Sequence, residues 1–121
     1  MREYLFVYGT LLPGKEPPTV ASVVKRLRPI GEAYVRGRLY DFGEYPGAIV
    51  DSRAATRIKG FLYEVPKDPT ILRRLDRYEG FDPNDPSGSL FVRRRRQVMR
   101  DGKKLRSWVY EYNRSPRAVH S

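Results

Sequence analysis

Glycines and prolines divide this chain into short strand-like runs, and this division constrains its fold more than any other feature. The runs are rich in β-branched and aromatic residues, and no regular alternation with long helical segments is visible. They occupy residues 3–8, 31–43, 47–52, 55–65, 90–100 and 105–113. Short strands in such an order favour a small barrel or a strongly curved antiparallel sheet over a doubly wound fold.

Two segments between these runs have the period of amphipathic helices. The first follows Pro17 and Pro18, which suit a helix start, and we expect Pro29 to end it. Its apolar face is formed by Val20, Val23, Val24 and Leu27. The second segment is expected to end at Gly80, and its apolar face is formed by Ile71, Leu72, Leu75 and Tyr78. Asp101-Gly102, between the last two strand-like runs, predicts a hairpin turn.

The length of 121 residues fits one domain. We assign it to residues 1–114 and expect residues 115–121 to form a disordered tail. No apolar run is long enough to span a membrane, and the N-terminal stretch is too short and polar for a signal peptide. We therefore expect a protein of the cytoplasm that does not act at a membrane.

The composition excludes several kinds of catalytic chemistry. The chain has no cysteine, and its one histidine, His120, lies next to the last residue. Thiolate nucleophiles and metal sites built on cysteine or several imidazoles are thereby excluded. Proton transfer, if the protein is an enzyme, is expected from carboxylates, tyrosines or lysines, with no metal and no cofactor.

The segment VYGTLLPG, residues 7–14, passes from a strand into a turn. Successive backbone N–H groups at a strand end can bind an anion, and glycine lets a ligand approach the backbone closely. An ordinary strand-to-loop transition is the alternative. The spacing and the Lys-Ser/Thr ending of a phosphate-binding loop are missing.

Glu79 is the strongest candidate for a proton carrier. It lies at the end of the second helical segment between Tyr78 and Gly80-Phe81. Aromatic neighbours can desolvate a carboxylate and raise its pKa toward neutrality. A solvated helix-end glutamate is the alternative. Asp76 is a rival, although its flanking arginines favour a salt-bridged surface group.

The positive charge of the chain allows a different class of function. Lysine and arginine number 24 against 14 acidic residues, a net charge of +10, and the run Arg93 to Arg96 adds to a basic character that suits nucleic acid. In a strand, however, Arg93 and Arg95 would face one side and the other two the opposite side. A solvated edge strand is the preferred interpretation of this run, and a small barrel that binds nucleic acid is the alternative to an enzyme.

Taken together, the segments resemble the γ-glutamylcyclotransferase-like family, in particular the γ-glutamylamine cyclotransferase branch and its bacterial and archaeal relatives. The resemblance covers about residues 4–112, and it rests on FVYGTLLPG, GRLYDFGEYPGAI, GFLYEV, LDRYEGF and WVYEY. It implies an α+β fold: a small, mixed, mainly antiparallel β-barrel with two or so flanking helices and a cavity at one end.

The resemblance also implies a reaction and its residues. The α-amine of a γ-glutamyl amine or peptide attacks its own γ-carbonyl, which gives 5-oxoproline and a released amine, so the enzyme is an acyltransferase or lyase. By the family pattern Glu79 is the catalytic carboxylate. The loop formed by Tyr8, Gly9, Thr10 and Leu11 binds the substrate, and Tyr45, in the turn YPG, is a further candidate to line the pocket. A relative that binds a small ligand without turnover is the remaining alternative.

Overall fold

The computed structural model of the chain describes residues 2–9, 11–43 and 46–113. Within these residues it has six strands and two helices. In chain order they are β1 (Glu3–Val7), α1 (Pro18–Val24), β2 (Arg28–Asp41), β3 (Pro46–Val50), β4 (Arg57–Val65), α2 (Pro69–Glu79), β5 (Phe91–Arg100) and β6 (Lys103–Tyr112). The expected tail over residues 115–121 lies outside the described residues.

Five of the strands close into a barrel. Neighbouring strands follow the order β2-β4-β1-β6-β5, and β5 returns to β2 where Met99 lies opposite Tyr34. Strand β3 pairs with β2 outside this ring. All pairs are antiparallel except that between β1 and β6. The predicted α+β fold, a small mixed barrel with two flanking helices, is therefore confirmed.

The predicted end of the first helix is wrong. Helix α1 ends at Val24, and Pro29 is the second residue of strand β2, opposite Tyr63. The pairing register shifts between Pro29 and Gly31. Proline is tolerated near the start of a strand or at such an irregularity, since the missing N–H interrupts the ladder least there. Leu27, expected on the helix, is buried after its end.

Consecutive residues of β1 supply two separate hydrophobic clusters, as the alternation of side chains along a strand requires. Phe6 belongs to the cluster built from the barrel strands, together with Val35 and Leu62. Leu5 and Val7 belong to the other cluster, which includes the apolar faces of both helices. The helices therefore pack on the outside of the barrel near β1. No helix of the described ranges is long and apolar enough to cross a membrane.

The predicted hairpin between the last two strands is confirmed. Asp101 and Gly102 have positive φ angles of 50° and 73° and connect β5 to β6. The two strands pair along their whole length, from Phe91 opposite Tyr112 to Arg100 opposite Lys103. This register fixes which side chains of β5 and β6 lie beside helix α2, and it thereby shapes the candidate site.

Candidate active site

A cavity of about 370 Å³ lies where the end of β1 meets the end of α2 and the neighbouring parts of β5 and β6. Most of its lining is apolar or aromatic. Among the described residues that line it, Glu79 alone carries an ionisable acidic or basic side chain other than tyrosine. The lining residues are Phe6, Val7, Tyr8, Gly9, Leu11, Pro46, Tyr78, Glu79, Leu90, Phe91 and Tyr110. Four residues predicted for the site, Tyr8, Gly9, Leu11 and Glu79, are therefore brought together. Thr10 and Tyr45 lie outside the described residues.

The position of Glu79 follows from the ends of helix α2. The Asp68 side chain accepts a hydrogen bond from the Thr70 N–H at 2.9 Å and caps the start of the helix. Gly80 has a left-handed φ of 76°, and the Phe81 N–H donates to the Asp76 carbonyl at 2.8 Å. This is a Schellman-type helix end, which favours glycine at the left-handed position. Glu79 is thus the last helical residue and faces the cavity.

The Glu79 carboxylate is held in an apolar environment. The side chain is half-buried, and it makes no hydrogen bond or ion pair within residues 2–9, 11–43 and 46–113. Burial raises the pKa of this carboxyl from 4.5 to about 7, because the charged form loses hydration and gains no partner among the described residues. At neutral pH such a group can both accept and donate a proton, as acid–base catalysis requires.

Tyr8 contributes an aromatic wall rather than a free hydroxyl. Its hydroxyl donates to the backbone carbonyl of Tyr110 and accepts a hydrogen bond from the Ala48 N–H at 3.2 Å. Burial raises the pKa of the Tyr8 phenol above its usual range, and the negative charge of Glu79 adds to this effect. Tyr8 therefore remains protonated near neutral pH, with its proton held by β6.

The loop after β1 forms a tight turn at the edge of the cavity. The Leu12 N–H donates to the Gly9 carbonyl at 3.0 Å. This bond does not use the backbone N–H groups of Gly9 and Leu11. The Leu11 side chain is buried and anchors the turn in the core. A Cβ atom on Gly9 would lie 3.0 Å from Pro46 Cγ, so a larger residue would fit here only if Pro46 shifted slightly.

Asp76 is ion-paired as expected, but it is buried rather than at the surface. Its carboxylate accepts two hydrogen bonds from Arg93, at 2.7 and 3.2 Å, and a third from the Tyr110 hydroxyl at 2.7 Å. Tyr110 also lines the cavity. The sequence interpretation missed this network, because its members are 17 and 34 residues apart in the chain. The alternation in WVYEY was the available signal that Tyr110 faces the same way as Trp108 and Tyr112.

The arginine run is divided between two faces, as the alternation predicts. Arg93 and Arg95 each lie 4.3 Å from the centre of the Trp108 ring, whereas Arg96 binds Glu111 at 2.6 Å. Arg95 also pairs with Glu3. Strand β5 pairs with β6 along its whole length but with β2 only where Met99 lies opposite Tyr34. Among the described residues, positions 93–96 are therefore paired on one side, as the edge interpretation expects, but Arg93 is only 15% exposed rather than solvated. Carboxylates of the same chain thus neutralise three of the four arginines.

Comparison with known proteins shows that the sequence matches a known family. The sequence profile of the family described as "Gamma-glutamyl cyclotransferase, AIG2-like" matches residues 5–121. This range includes the turn after β1, helix α2 and both strands of the final hairpin. A search of the curated proteins found no match.

Three solved structures illustrate the shared fold. YkqA from Bacillus subtilis is 22% identical with a TM-score of 0.70, over 93% of this chain and 36% of that one. An AIG2-like protein from Mus musculus is 23% identical with a TM-score of 0.71, over 96% and 81% of the two chains. A protein named gamma-glutamyl cyclotransferase is 16% identical with a TM-score of 0.64, over 93% and 67%. The chain thus spans about a third of the length of YkqA.

Proposed function

This chain belongs to the gamma-glutamyl cyclotransferase, AIG2-like family, and from that premise we propose that it cyclises γ-glutamyl amines or peptides to 5-oxoproline. The observation that carries the proposal is the shared cavity of Glu79 and the Tyr8–Leu11 turn. A proton carrier poised near neutral pH there faces a turn with backbone amides. These are two of the groups that such a reaction needs.

The nucleophile of this reaction belongs to the substrate. The α-amine and the γ-carbonyl are parts of one molecule, so ring closure has a high effective molarity and needs no nucleophile from the protein. This agrees with a sequence that has no cysteine and one histidine far from the site in the chain. The tasks of the protein are to fold the substrate for attack, to move protons and to stabilise the tetrahedral oxygen.

Glu79 moves the proton in the proposed mechanism. Its carboxylate takes a proton from the α-ammonium, and the freed amine attacks the γ-carbonyl carbon to form the ring C–N bond. The tetrahedral intermediate then breaks its bond to the departing nitrogen, which receives the proton from the Glu79 carboxyl. The Glu79 carboxylate takes the second proton of the ring nitrogen and passes it to the released amine, which leaves as an ammonium ion. The enzyme returns to its starting state. A carboxyl with a pKa of about 7 suits both transfers.

The turn after β1 is proposed to bind the negative charge of the substrate. The amides of Gly9 and Leu11, with Thr10 between them, would donate to the α-carboxylate or to the tetrahedral oxygen. The Leu12–Gly9 hydrogen bond and the buried Leu11 side chain support a rigid turn. Tyr8, with its hydroxyl bound to β6, supplies the adjacent wall.

The proposal is tested by incubating the protein with a panel of γ-glutamyl amines and dipeptides. We expect 5-oxoproline and free amine in equal amounts, and no reaction with an α-glutamyl isomer, which cannot close the ring in the same way. Glu79→Gln should fold and lose activity, whereas Glu64→Gln, a half-buried carboxylate on β4 away from the cavity, should keep it. Binding of the panel without any 5-oxoproline would instead identify a non-catalytic relative.

A further inference from the structure

Arg93 contacts the chain on both sides of Glu79. On one side its guanidinium donates two hydrogen bonds to the carboxylate of Asp76, three residues before Glu79. On the other side it lies 5.9 Å from the centre of the Phe81 ring, two residues after Glu79. Its remaining face lies against Trp108 of β6. One side chain of β5 thus spans the segment that ends helix α2.

We propose that Arg93 is a positioning residue that fixes the Glu79 carboxylate in the cavity by holding Asp76 and Phe81 against the β5–β6 hairpin. This inference rests on the proposed function and extends it to a residue outside the cavity lining. Arg93 is not among the residues that line the cavity. It acts through the backbone of residues 76–81.

We call the hold of Arg93 on Asp76 and Phe81 the clamp, and the hairpin register supports it independently. Arg93 lies directly opposite Tyr110, and both side chains bond the same Asp76 carboxylate. The pair is well covered, with side-chain exposures of 15% for Arg93 and 5% for Asp76. Two strands therefore hold one carboxylate of α2 from adjacent positions, in a region with little water to replace a lost bond.

The chemistry of the pair favours a geometric role over a purely stabilising one. Buried ion pairs often contribute little net stability compared with apolar residues of similar size, because both charges lose their hydration. An arginine fork, in contrast, fixes the direction of a carboxylate, and its planar face stacks on aromatic rings. Lysine retains the charge but has neither property, so Arg93→Lys removes the clamp while leaving the cation.

The same strand offers a matched control. Arg96 forms an equivalent fork with Glu111, with bonds of 2.6 and 3.3 Å, and Glu111 is 2% exposed. Glu111 lies on β6, so this pair does not hold helix α2. Arg96→Lys therefore reproduces the chemical change and removes a fork to a buried carboxylate without releasing the segment of Glu79, although the Arg96 side chain is 36% exposed against 15% for Arg93.

The first readout is the division between kcat and KM. We expect Arg93→Lys to lower kcat about 10- to 100-fold, the scale of a small misplacement of a catalytic group, and to leave KM within about twofold. Arg96→Lys should leave kcat within about twofold. Equal kcat losses in the two variants would overturn the clamp and leave only a general effect of losing a buried fork.

The second readout needs no turnover and follows the Glu79 carboxyl by carbon-detected NMR, assigned with Glu79→Gln. The other titratable groups at the cavity are Tyr8, Tyr78 and Tyr110, with Asp76 and Arg93 behind Tyr110. We expect the titration midpoint to move from about 7 toward 4.5 in Arg93→Lys, as water reaches the loosened helix end, and to stay in Arg96→Lys.

The outcomes separate this inference from the proposed function. If the wild type makes no 5-oxoproline, the proposed function fails, and the NMR comparison still decides the clamp. A Glu79 midpoint in Arg93→Lys equal to that of the wild type overturns the clamp. If Arg93→Lys does not fold, Asp76→Asn, which weakens the fork and lies outside the cavity lining, replaces it. A shifted midpoint then supports the clamp, and an unchanged one overturns it.

Discussion

Asp76 and Glu79 lie three residues apart on helix α2, but only the Asp76 carboxylate has hydrogen-bond partners among the described residues. Asp76 is 4% exposed and accepts hydrogen bonds from Arg93 and from the Tyr110 hydroxyl. Glu79 has no such partner among the described residues, and burial raises its pKa to about 7. The first carboxylate is therefore suited to hold the helix end in place, and the second to exchange protons.

The raised pKa of Glu79 predicts a pH-dependent stability. Between pH 4.5 and 7 the folded protein retains a proton that the unfolded chain has lost, so the free energy of unfolding falls as the pH rises. Relative to Glu79→Gln, the wild type should lose about 3 kcal/mol across this interval and no more above it. Urea unfolding of both proteins at pH 4, 6 and 8 measures the difference. A difference that does not change with pH would show that Glu79 is solvated.

The same pKa predicts the pH dependence of the proposed reaction. Glu79 must be ionised to accept the proton of the substrate α-ammonium, so kcat/KM should rise with pH and level off above about 7. Below the midpoint the expected slope is about tenfold for each pH unit. Initial rates with one good substrate between pH 5 and 8.5 measure this profile. A profile without an inflection between pH 6 and 8 would exclude Glu79 as the base.

Tyr8→Phe should destabilise the fold while keeping the cavity wall. The substitution removes the hydroxyl that links β1 to the Tyr110 carbonyl and to the Ala48 amide, and it leaves the ring in place. We expect a loss of about 1–2 kcal/mol in the free energy of unfolding, the scale of buried groups left without a partner. Tyr4→Phe is the control, since no hydrogen bond of its hydroxyl is found among the described residues. Urea unfolding that shows equal stability for the two variants would contradict the structural role of the Tyr8 hydroxyl.

Gly80 should be sensitive to its backbone conformation alone. Its φ is 76°, and a Cβ atom there would have no neighbour within 4 Å. Gly80→Ala is expected to lower the free energy of unfolding by about 1 kcal/mol, because a Cβ disfavours the left-handed region. Gly80→Asn should cost less, since asparagine tolerates that region better. Thermal or urea unfolding that ranks Asn below Ala would contradict this account of the helix end.

The sequence was sufficient to predict the features that depend on local patterns or on the family resemblance. The hairpin turn at Asp101-Gly102, the helix end at Gly80 and the barrel class are confirmed. Glu79 and the turn after β1 line one cavity, and the roles assigned to them stay predictions. These features leave a trace in neighbouring residues or in recurring motifs.

Other features depend on contacts between distant residues, which leave no local sign in the sequence. The barrel closes through the pairing of Tyr34 with Met99, which are 65 positions apart. The clamp of Arg93 on Asp76 needs the register of the hairpin and the packing of α2 together. The role of Pro29 was predicted wrongly because the tendency of proline to end helices was applied to it, whereas helix α1 ends at Val24 and Pro29 lies in β2.

The most direct measurement of the central claim is the rate of 5-oxoproline formation by Glu79→Gln beside the wild type and Glu64→Gln, with the best substrate of the panel at pH 7. Glutamine keeps the shape of the side chain but cannot carry the proton. We predict a loss of about 100-fold or more for Glu79→Gln and a change of less than twofold for Glu64→Gln. Wild-type rates in a folded Glu79→Gln protein would contradict the assignment of Glu79 as the proton carrier.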